Sequence, residues 1–197
     1  MVGRIFQSDS AVQVRLMQGE HFVLSFVEGD SGFFDDVARA LRDNVLRIRM
    51  RTADYLFLVL MNGVISNYVS LAMSIGDELD DLESELLAAR NERDIGIQLQ
   101  MQRRRYMELK RTVMPLREQF QRLLRSDSGL VRKASRPFFN DVSDHLQNAV
   151  QLVEGCRETL SSLMDLYISN NDLRMNDIMK RLTIVSTIFI PLTFLVG

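Results

Sequence analysis

Residues 182–197 carry no charged side chain and consist almost entirely of apolar and hydroxyl residues. A helix that crosses a lipid bilayer needs about 20 such residues in a row. Lys180 and Arg181 stand directly before the run, and basic residues mark the cytoplasmic end of a membrane span. We therefore expect a helix to enter a bilayer at this point, and residues 182–197 to be the start of a span that is truncated here.

A very long helix is predicted to lead into this run. Ser135 is a suitable N-cap, Pro137 suits a first helical turn, and no breaker follows before Pro191. A continuous helix over residues 137–197 would be on the order of 90 Å long. It needs partner helices, most simply copies of itself, because apolar residues recur along it at steps of three and four: Phe138, Val142, Leu146, Ala149, Leu152, Cys156, Leu160, Leu163 and Tyr167.

Two further helices are predicted before it, over residues 53–90 and 95–125, joined by a turn at 91–94. Thr52 or Asp54 can cap the first helix, and Pro115 should kink or end the second. The first helix ends in an acidic run and the second begins with a basic one. An antiparallel pair would place these runs side by side, so we expect an electrostatic seam whose exposed pairs contribute about 0.2–1 kcal/mol each.

The N-terminal part is predicted to hold a β-hairpin, with strands over residues 11–17 and 22–27 and a turn at 18–20. A lone hairpin is marginally stable and has open edges, so we expect further strands before Met1 in a longer parent protein. A short helix should follow, on the apolar residues Phe33, Phe34, Val37 and Leu41. Residues 47–51 then form a basic linker.

Composition excludes several classes of function. The net charge of −2 gives no general attraction to nucleic acid. The arginines at 103–105 could form a nucleic-acid patch, but they lack interleaved aromatics and have countercharge in the same chain. The single cysteine, Cys156, rules out an internal disulfide and suits a buried position. We find no signal peptide, zinc motif, phosphate-binding loop or catalytic triad, and we predict that the chain is not an enzyme.

Two stretches resemble one known family. Residues 137–145 read Pro-Phe-Phe-Asn-Asp-Val-Ser-Asp-His, and residues 179–194 end in Pro-Leu-Thr-Phe. Weaker support comes from residues 51–56 and 114–117. These motifs resemble the CorA family of divalent-cation channels, which transport magnesium and also pass cobalt or nickel. The resemblance extends from the hairpin to the last residue.

The resemblance implies a mainly α fold. Residues 1–50 would be the remnant of a cytoplasmic α/β domain that includes the β-hairpin, and 51–133 an antiparallel helical hairpin. Residues 134–181 would form a stalk helix and 182–197 the truncated start of the first transmembrane helix. Family members are homopentamers, in which the stalk helix continues as the pore-lining helix. Their Gly-Met-Asn selectivity signature is expected just after Gly197, and a second membrane helix after that.

The resemblance also implies the functional residues. Asp141 matches the position that binds a regulatory cation between neighbouring subunits, with Asp144 and His145 close by. Asp165 and Asn176 match polar positions facing the pore and complete the expected Mg²⁺ ligands, with Co²⁺ as the second expected cation. A gating stripe would comprise Asn176, Met179, Leu182, Ser186, Ile190 and Thr193.

Simpler interpretations remain open. Asp141 alone could be a solvated carboxylate favoured by the helix dipole, and the stripe could be an ordinary packing seam in a coiled coil. The chain would then be a soluble oligomeric helical scaffold that buries its apolar tail against a partner. A zinc transporter of the same superfamily would share the architecture. The principal prediction is a subunit on the cytoplasmic side of the cell inner membrane. Its partners would be lipid, divalent cations and copies of itself, and not nucleic acid.

Overall fold

The computed structural model describes residues 2–7, 10–29, 32–88, 92–126 and 129–197. The described chain is mainly helical, with one antiparallel sheet, as predicted. In chain order its elements are strands β1 (Val2–Gln7), β2 (Ser10–Gln18) and β3 (Val23–Val27), helix α1 (Asp35–Arg42), a 3-10 helix (Val45–Met50), helices α2 (Ala53–Leu87) and α3 (Glu92–Arg125), a 3-10 helix (Lys133–Ser135) and helix α4 (Arg136–Val196).

The predicted hairpin is confirmed as β2 and β3, which pair antiparallel with Leu16 opposite Ser25. Sequence reasoning missed β1, which pairs antiparallel with β2 and places Ile5 opposite Val12. The sheet therefore has the order β1-β2-β3. Ile5, Val14 and Leu16 are buried, and this inner face of the sheet packs on α2.

The outer edge of β1 is bonded to α2 rather than open. The Asn67 side chain accepts a hydrogen bond from the Phe6 N–H at 2.8 Å and donates one to the Phe6 carbonyl at 3.0 Å. The Tyr68 hydroxyl oxygen accepts from the Arg4 N–H at 3.2 Å. The expectation of an open edge is wrong on this side, because the side chains of a helix satisfy the backbone groups that another strand would use.

The segment predicted as a basic linker is instead a 3-10 helix fastened to α1. The Arg49 guanidinium donates hydrogen bonds to the Leu41 and Arg42 carbonyls, which lie at the C-terminal end of α1. Asn44 adopts a left-handed conformation with φ of 53°, and its side-chain oxygen accepts from the Arg49 N–H at 3.2 Å. A basic side chain at a helix C-terminus is favourable because it satisfies unpaired carbonyls there.

Helices α2, α3 and α4 form a three-helix bundle. Among the described residues, α2 is the one helix long and apolar enough to cross a membrane by length and composition. Its apolar half is part of the bundle core instead, since it packs on both the sheet and α4. Its buried residues in that half include Phe57, Leu58, Met61, Ile65 and Tyr68.

The helix boundaries differ from the predictions near the α2–α3 connection. Helix α2 ends at Leu87, and α3 already begins at Glu92, so Glu92, Arg93 and Asp94 are helical. Residue 91 of the predicted turn lies outside the described residues. Helix α3 continues through Pro115 and ends at Arg125, so the proline does not end it. The helix loses one backbone hydrogen bond there, because proline has no N–H.

The predicted electrostatic seam between α2 and α3 is largely wrong. Among the described residues, one ion pair joins the two helices: Arg105 Nη1 lies 2.6 Å from Glu78 Oε1. Gln102 also donates to Glu78. Burial raises the pKa of Glu78, but the bonds from Arg105, Gln102 and Ser74 outweigh that effect and leave the pKa below its ordinary value. The other charged residues of both runs point to solvent.

Helix α4 runs unbroken to Val196, as predicted, with Pro191 inside it. Most of the predicted stripe is buried, including Cys156, but the first position is wrong. Phe139 is fully buried and stacks on Phe120, whereas Phe138 is 39% exposed. Helices α2 and α3 cover the stripe as far as Leu163. The first half of α4 thus finds its partner helices in its own chain.

The junction between α2 and α4 is built on a buried carboxylate. Asp54 is 2% exposed and accepts hydrogen bonds from the Thr52 and Ser135 hydroxyls and from the Tyr55 and Arg132 N–H groups. Neither Thr52 nor Ser135 caps its helix through its side chain, although each occupies the N-cap position. Both predicted caps therefore bond Asp54 instead, and so tie the two helix starts together.

Candidate cation and pore surface on the long helix

The C-terminal part of α4 extends beyond the bundle without a partner. Every residue from 172 to 185 is exposed, and so are residues 187–194. The large apolar side chains Ile184, Phe189 and Ile190 are exposed by 60%, 60% and 70%. A helix that is apolar all round and free of charge is typical of a membrane span. The exposed surface therefore supports the prediction that a membrane span begins near residue 182.

The hydroxyl groups in this segment bond to their own helix. Thr183 donates to the Met179 carbonyl at 2.8 Å, Thr187 to the Thr183 carbonyl at 2.7 Å, and Thr193 to the Phe189 carbonyl at 2.7 Å. Polar groups in hydrocarbon must be satisfied internally. The threonines therefore do not prevent this segment from lying in lipid.

The predicted gating residues lie on one side of α4. They follow each other at steps of three and four residues, which is the spacing of a coiled-coil seam. Met179, Leu182 and Ile190 are 55%, 59% and 70% exposed, so this stripe is available for contact with other chains. It contains Asn176, Met179, Leu182, Ser186, Ile190 and Thr193.

The predicted sensor residues lie near the start of α4. Asp141 is exposed, and His145 follows one helical turn later on the same side. The Nδ1 atom of His145 lies 2.7 Å from Oδ1 of Asn62 on α2. A carbonyl oxygen only accepts, so Nδ1 carries the proton and Nε2 keeps its lone pair. Asn62 is a residue that sequence reasoning missed. Its only signal is its position as a polar residue in the apolar half of α2.

The structure brings the other predicted residues to different places. Asp165 is exposed and lines a groove between α3 and α4 together with Arg103, Lys110 and Arg157. Asn176 lies three turns farther along α4, in the unpartnered part. Among the described residues, no group of three or more His, Cys, Asp or Glu side chains is close enough to hold a metal ion. A cation at Asp141 would therefore take its further ligands from water or from another chain.

The family follows from a direct comparison. A family model described as CorA-like Mg²⁺ transporter protein matches residues 5–197. The chain belongs to this family. Its relatives are transporters, in agreement with the prediction that the chain is not an enzyme. The motifs at residues 137–145 and 179–194 thus identified the family correctly.

Individual relatives agree with this membership. The cobalt/magnesium transport protein CorA of Thermotoga maritima is 38% identical over 185 residues, which cover 94% of this chain and 52% of that protein. The chain therefore spans about half the length of this curated relative.

Solved structures show the same fold. The full-length CmaX protein matches with a TM-score of 0.80 at 23% identity, over 100% of this chain and 61% of that chain. The complete CorA magnesium transporter of Methanocaldococcus jannaschii matches with a TM-score of 0.73 at 22% identity, over 95% of this chain and 64% of that chain. At these identities the matches describe the fold of this CorA-family chain and not its cation.

Proposed function

We propose that this chain is the cytoplasmic and inner-pore part of a magnesium and cobalt channel subunit. Its bundle lies on the cytoplasmic side of the cell inner membrane and senses divalent cations there, while the end of α4 lines and gates the pore. Copies of the subunit form a ring, a pentamer in the full-length protein. Mg²⁺ and Co²⁺ are the transported ions, and Mg²⁺ is also the sensed one.

The unpartnered end of α4 is the observation that carries this proposal. A lone helix with exposed apolar residues on all sides has no stable place in water. Parallel copies would bury its stripe around a common axis, and lipid would cover the remaining faces. Asn176 would then offer an amide oxygen to the hydration shell of an ion, and Met179 and Leu182 would form an apolar collar that closes by dewetting.

Sensing follows from charge repulsion between subunits. Mg²⁺ prefers carboxylate oxygens and gives up its waters reluctantly, so a partly hydrated ion beside Asp141 suits its chemistry. Acidic residues that face one another across a subunit boundary repel, and a bound cation relieves the repulsion. When the cytoplasmic cation concentration falls, the sites empty and the ring loosens. The cation thereby shifts an equilibrium between a closed and a looser ring.

Substituting Asp141 by asparagine should weaken the protection that Mg²⁺ gives against proteolysis. Asparagine keeps the size of the side chain and removes the charge that attracts the cation. In a Mg²⁺ titration we expect the protection midpoint to rise on the order of tenfold, the effect of losing one charged ligand. Glu158→Gln is the matched control, since Glu158 is an exposed carboxylate elsewhere on α4. An unchanged midpoint in the Asp141 variant would remove Asp141 from the site.

A cysteine at Leu182 should cross-link copies of the chain, and a cysteine at Ile184 should not. Both side chains are exposed, by 59% and 60%, but Leu182 is on the proposed axis-facing stripe and Ile184 is about 200° farther around the helix. Native Cys156 is buried and does not compete. The measurement is the yield of disulfide dimer after mild oxidation in detergent micelles. Equal yields would show that the stripe does not face an axis.

A further inference from the structure

A groove with a basic lining runs along the bundle between α3 and α4. Arg103, Lys110 and Arg157 line it, with Asp165 at one end. The adjoining surface of α3 adds Arg104 and Arg111, beside exposed methionines and Tyr167. The groove therefore combines positive charge with apolar side chains that could pack against a partner: Met101, Met107 and Tyr167.

Most of this positive charge is not neutralised within the chain. Among the described residues, Arg103, Arg104 and Arg111 take part in no ion pair. Lys110 and Arg157 share one carboxylate, Glu154, at 3.9 Å and 3.4 Å. Glu108 and Asp165 are the acidic side chains along the lining. Positive charge is thus in excess, and a partner with negative charge would fit this surface.

The opposite side of the bundle carries the complementary charge. Asp77, Asp80 and Glu83 are exposed on α2, and in the described part of the chain none of them forms an ion pair. Glu78 marks the side of α2 that faces α3, because it bonds Arg105 and Gln102. At about 100° per residue, the three exposed carboxylates lie at least a quarter turn away from Glu78. They therefore point away from α3.

The acidic and basic surfaces lie at the same height along the bundle. The bond from Glu78 to Arg105 sets residues 77–83 of α2 beside residues of α3 close to Arg103. Two copies standing in parallel would therefore bring the acidic side of one to the level of the basic groove of the other. Two different surfaces that meet in this way form a heterologous contact, and such contacts close into a ring when repeated.

We propose that the basic α3–α4 groove of one copy receives the acidic side of α2 from the neighbouring copy. This contact rests on the ring of parallel subunits in the proposed function and adds the surfaces by which neighbours recognise each other. Exposed charge pairs contribute more to orientation and to the rate of association than to affinity. The contact therefore sets the rotation of each bundle around α4, and it weakens as salt is added.

Charge reversal on either surface tests the contact. One variant carries Arg103→Glu, Arg104→Glu and Arg111→Glu, and a second carries Asp77→Lys, Asp80→Lys and Glu83→Lys. Each makes the two facing surfaces alike in charge, so we expect the dissociation constant of the oligomer to rise on the order of tenfold or more. All six substitutions together restore opposite charges and should restore association. The measurement is sedimentation velocity of the whole chain in detergent micelles, at 0.1 and 0.5 M salt.

The control variant reverses Glu118 and Arg122, which are exposed farther along α3 and outside the groove. It should associate like the wild type. Wild-type association in the two triple variants would overturn the contact and leave the ring intact. Failure of the sixfold variant to recover, with its helix content unchanged by circular dichroism, would also overturn it. A wild-type chain that stays monomeric at all concentrations would overturn the ring itself, and the proposed function with it.

Discussion

Replacing Asp54 with alanine should lower the free energy of unfolding by about 3 kcal/mol. The carboxylate is 2% exposed and receives four hydrogen bonds, from Thr52, Tyr55, Arg132 and Ser135. Alanine leaves these donors without an acceptor in a site that holds little water. The measurement is chemical unfolding in detergent micelles, followed by far-ultraviolet circular dichroism because the chain has no tryptophan.

The same substitution should change how stability depends on pH. Burial raises the pKa of Asp54, but the four hydrogen bonds to its charged form outweigh burial and leave the pKa below its ordinary value of 3.8. A depressed folded-state pKa stabilises the fold above the ordinary value, and that stabilisation is lost as the pH falls through the folded-state pKa. The difference between wild type and Asp54→Ala should therefore be constant near neutral pH and shrink below about pH 4.

Glu85→Ala provides the control for Asp54. Glu85 is an exposed carboxylate on the same helix and forms no ion pair with the other described residues. Its loss should change the free energy of unfolding by no more than about 0.5 kcal/mol. Equal effects of the two substitutions, or a difference that stays constant down to pH 2, would contradict the role assigned to Asp54.

Local pattern was enough to predict the elements that depend on periodicity. Helix α4 has apolar residues at steps of three and four, with proline at its start, and the sequence therefore predicted both its position and its length. The strands β2 and β3 alternate clearly around a short turn. In each case the pattern is repeated over many residues, and no distant contact is needed to interpret it.

The features that sequence reasoning missed depend on contacts between distant residues. Strand β1 lacks a clear alternation, and its outer edge is satisfied by Asn67 and Tyr68, more than sixty positions later. Asp54 looks like an ordinary helix cap, and only the loop that carries Arg132 makes it a buried acceptor. Such partners follow from the tertiary fold, which a single sequence does not reveal.

The electrostatic seam failed for an energetic reason. Exposed ion pairs contribute little, so they do not determine how two helices are rotated against each other. Burial of leucine and isoleucine does, at about 25 cal/mol per Å² of apolar surface. Leu79, Leu82, Leu99 and Leu109 face the core, and the charged residues are left wherever that packing puts them. The same outcome leaves the charges free for a neighbouring copy.

For the candidate site, the sequence predicted positions more readily than environment. The family motifs placed Asp141, Asn176 and Leu182 on α4, and the structure shows them exposed there. The hydrogen bond between Asn62 and His145 joins residues 83 positions apart, so no local pattern indicates it. The roles of these residues in sensing and gating remain predictions for the experiments above.

Phe139→Ala should have the largest effect of all, a loss of about 4 kcal/mol in the free energy of unfolding. The Phe139 ring is fully buried and stacks on Phe120 of α3, with centroids 6.1 Å apart and an angle of 22° between the rings. Alanine leaves a cavity between α3 and α4 that the surrounding helices cannot fill. Phe120→Ala alone should cost a similar amount, and the two losses should not add because they share one contact.

Phe138→Ala is a closely matched control, since it removes the same ring one position earlier. Phe138 is 39% exposed and contacts Tyr55 edge to face, with centroids 5.4 Å apart, beneath the Arg51 guanidinium. Its loss should cost about 1 kcal/mol. The contrast also bears on sensing, because Asp141 lies two residues after Phe139 on the same turn of α4. If burial of Phe139 holds that turn in place, Phe139→Ala should weaken Mg²⁺-dependent protection at temperatures where the chain is still folded, and Phe138→Ala should leave it unchanged. Similar losses of stability in the two variants would show that α4 is not anchored through this ring.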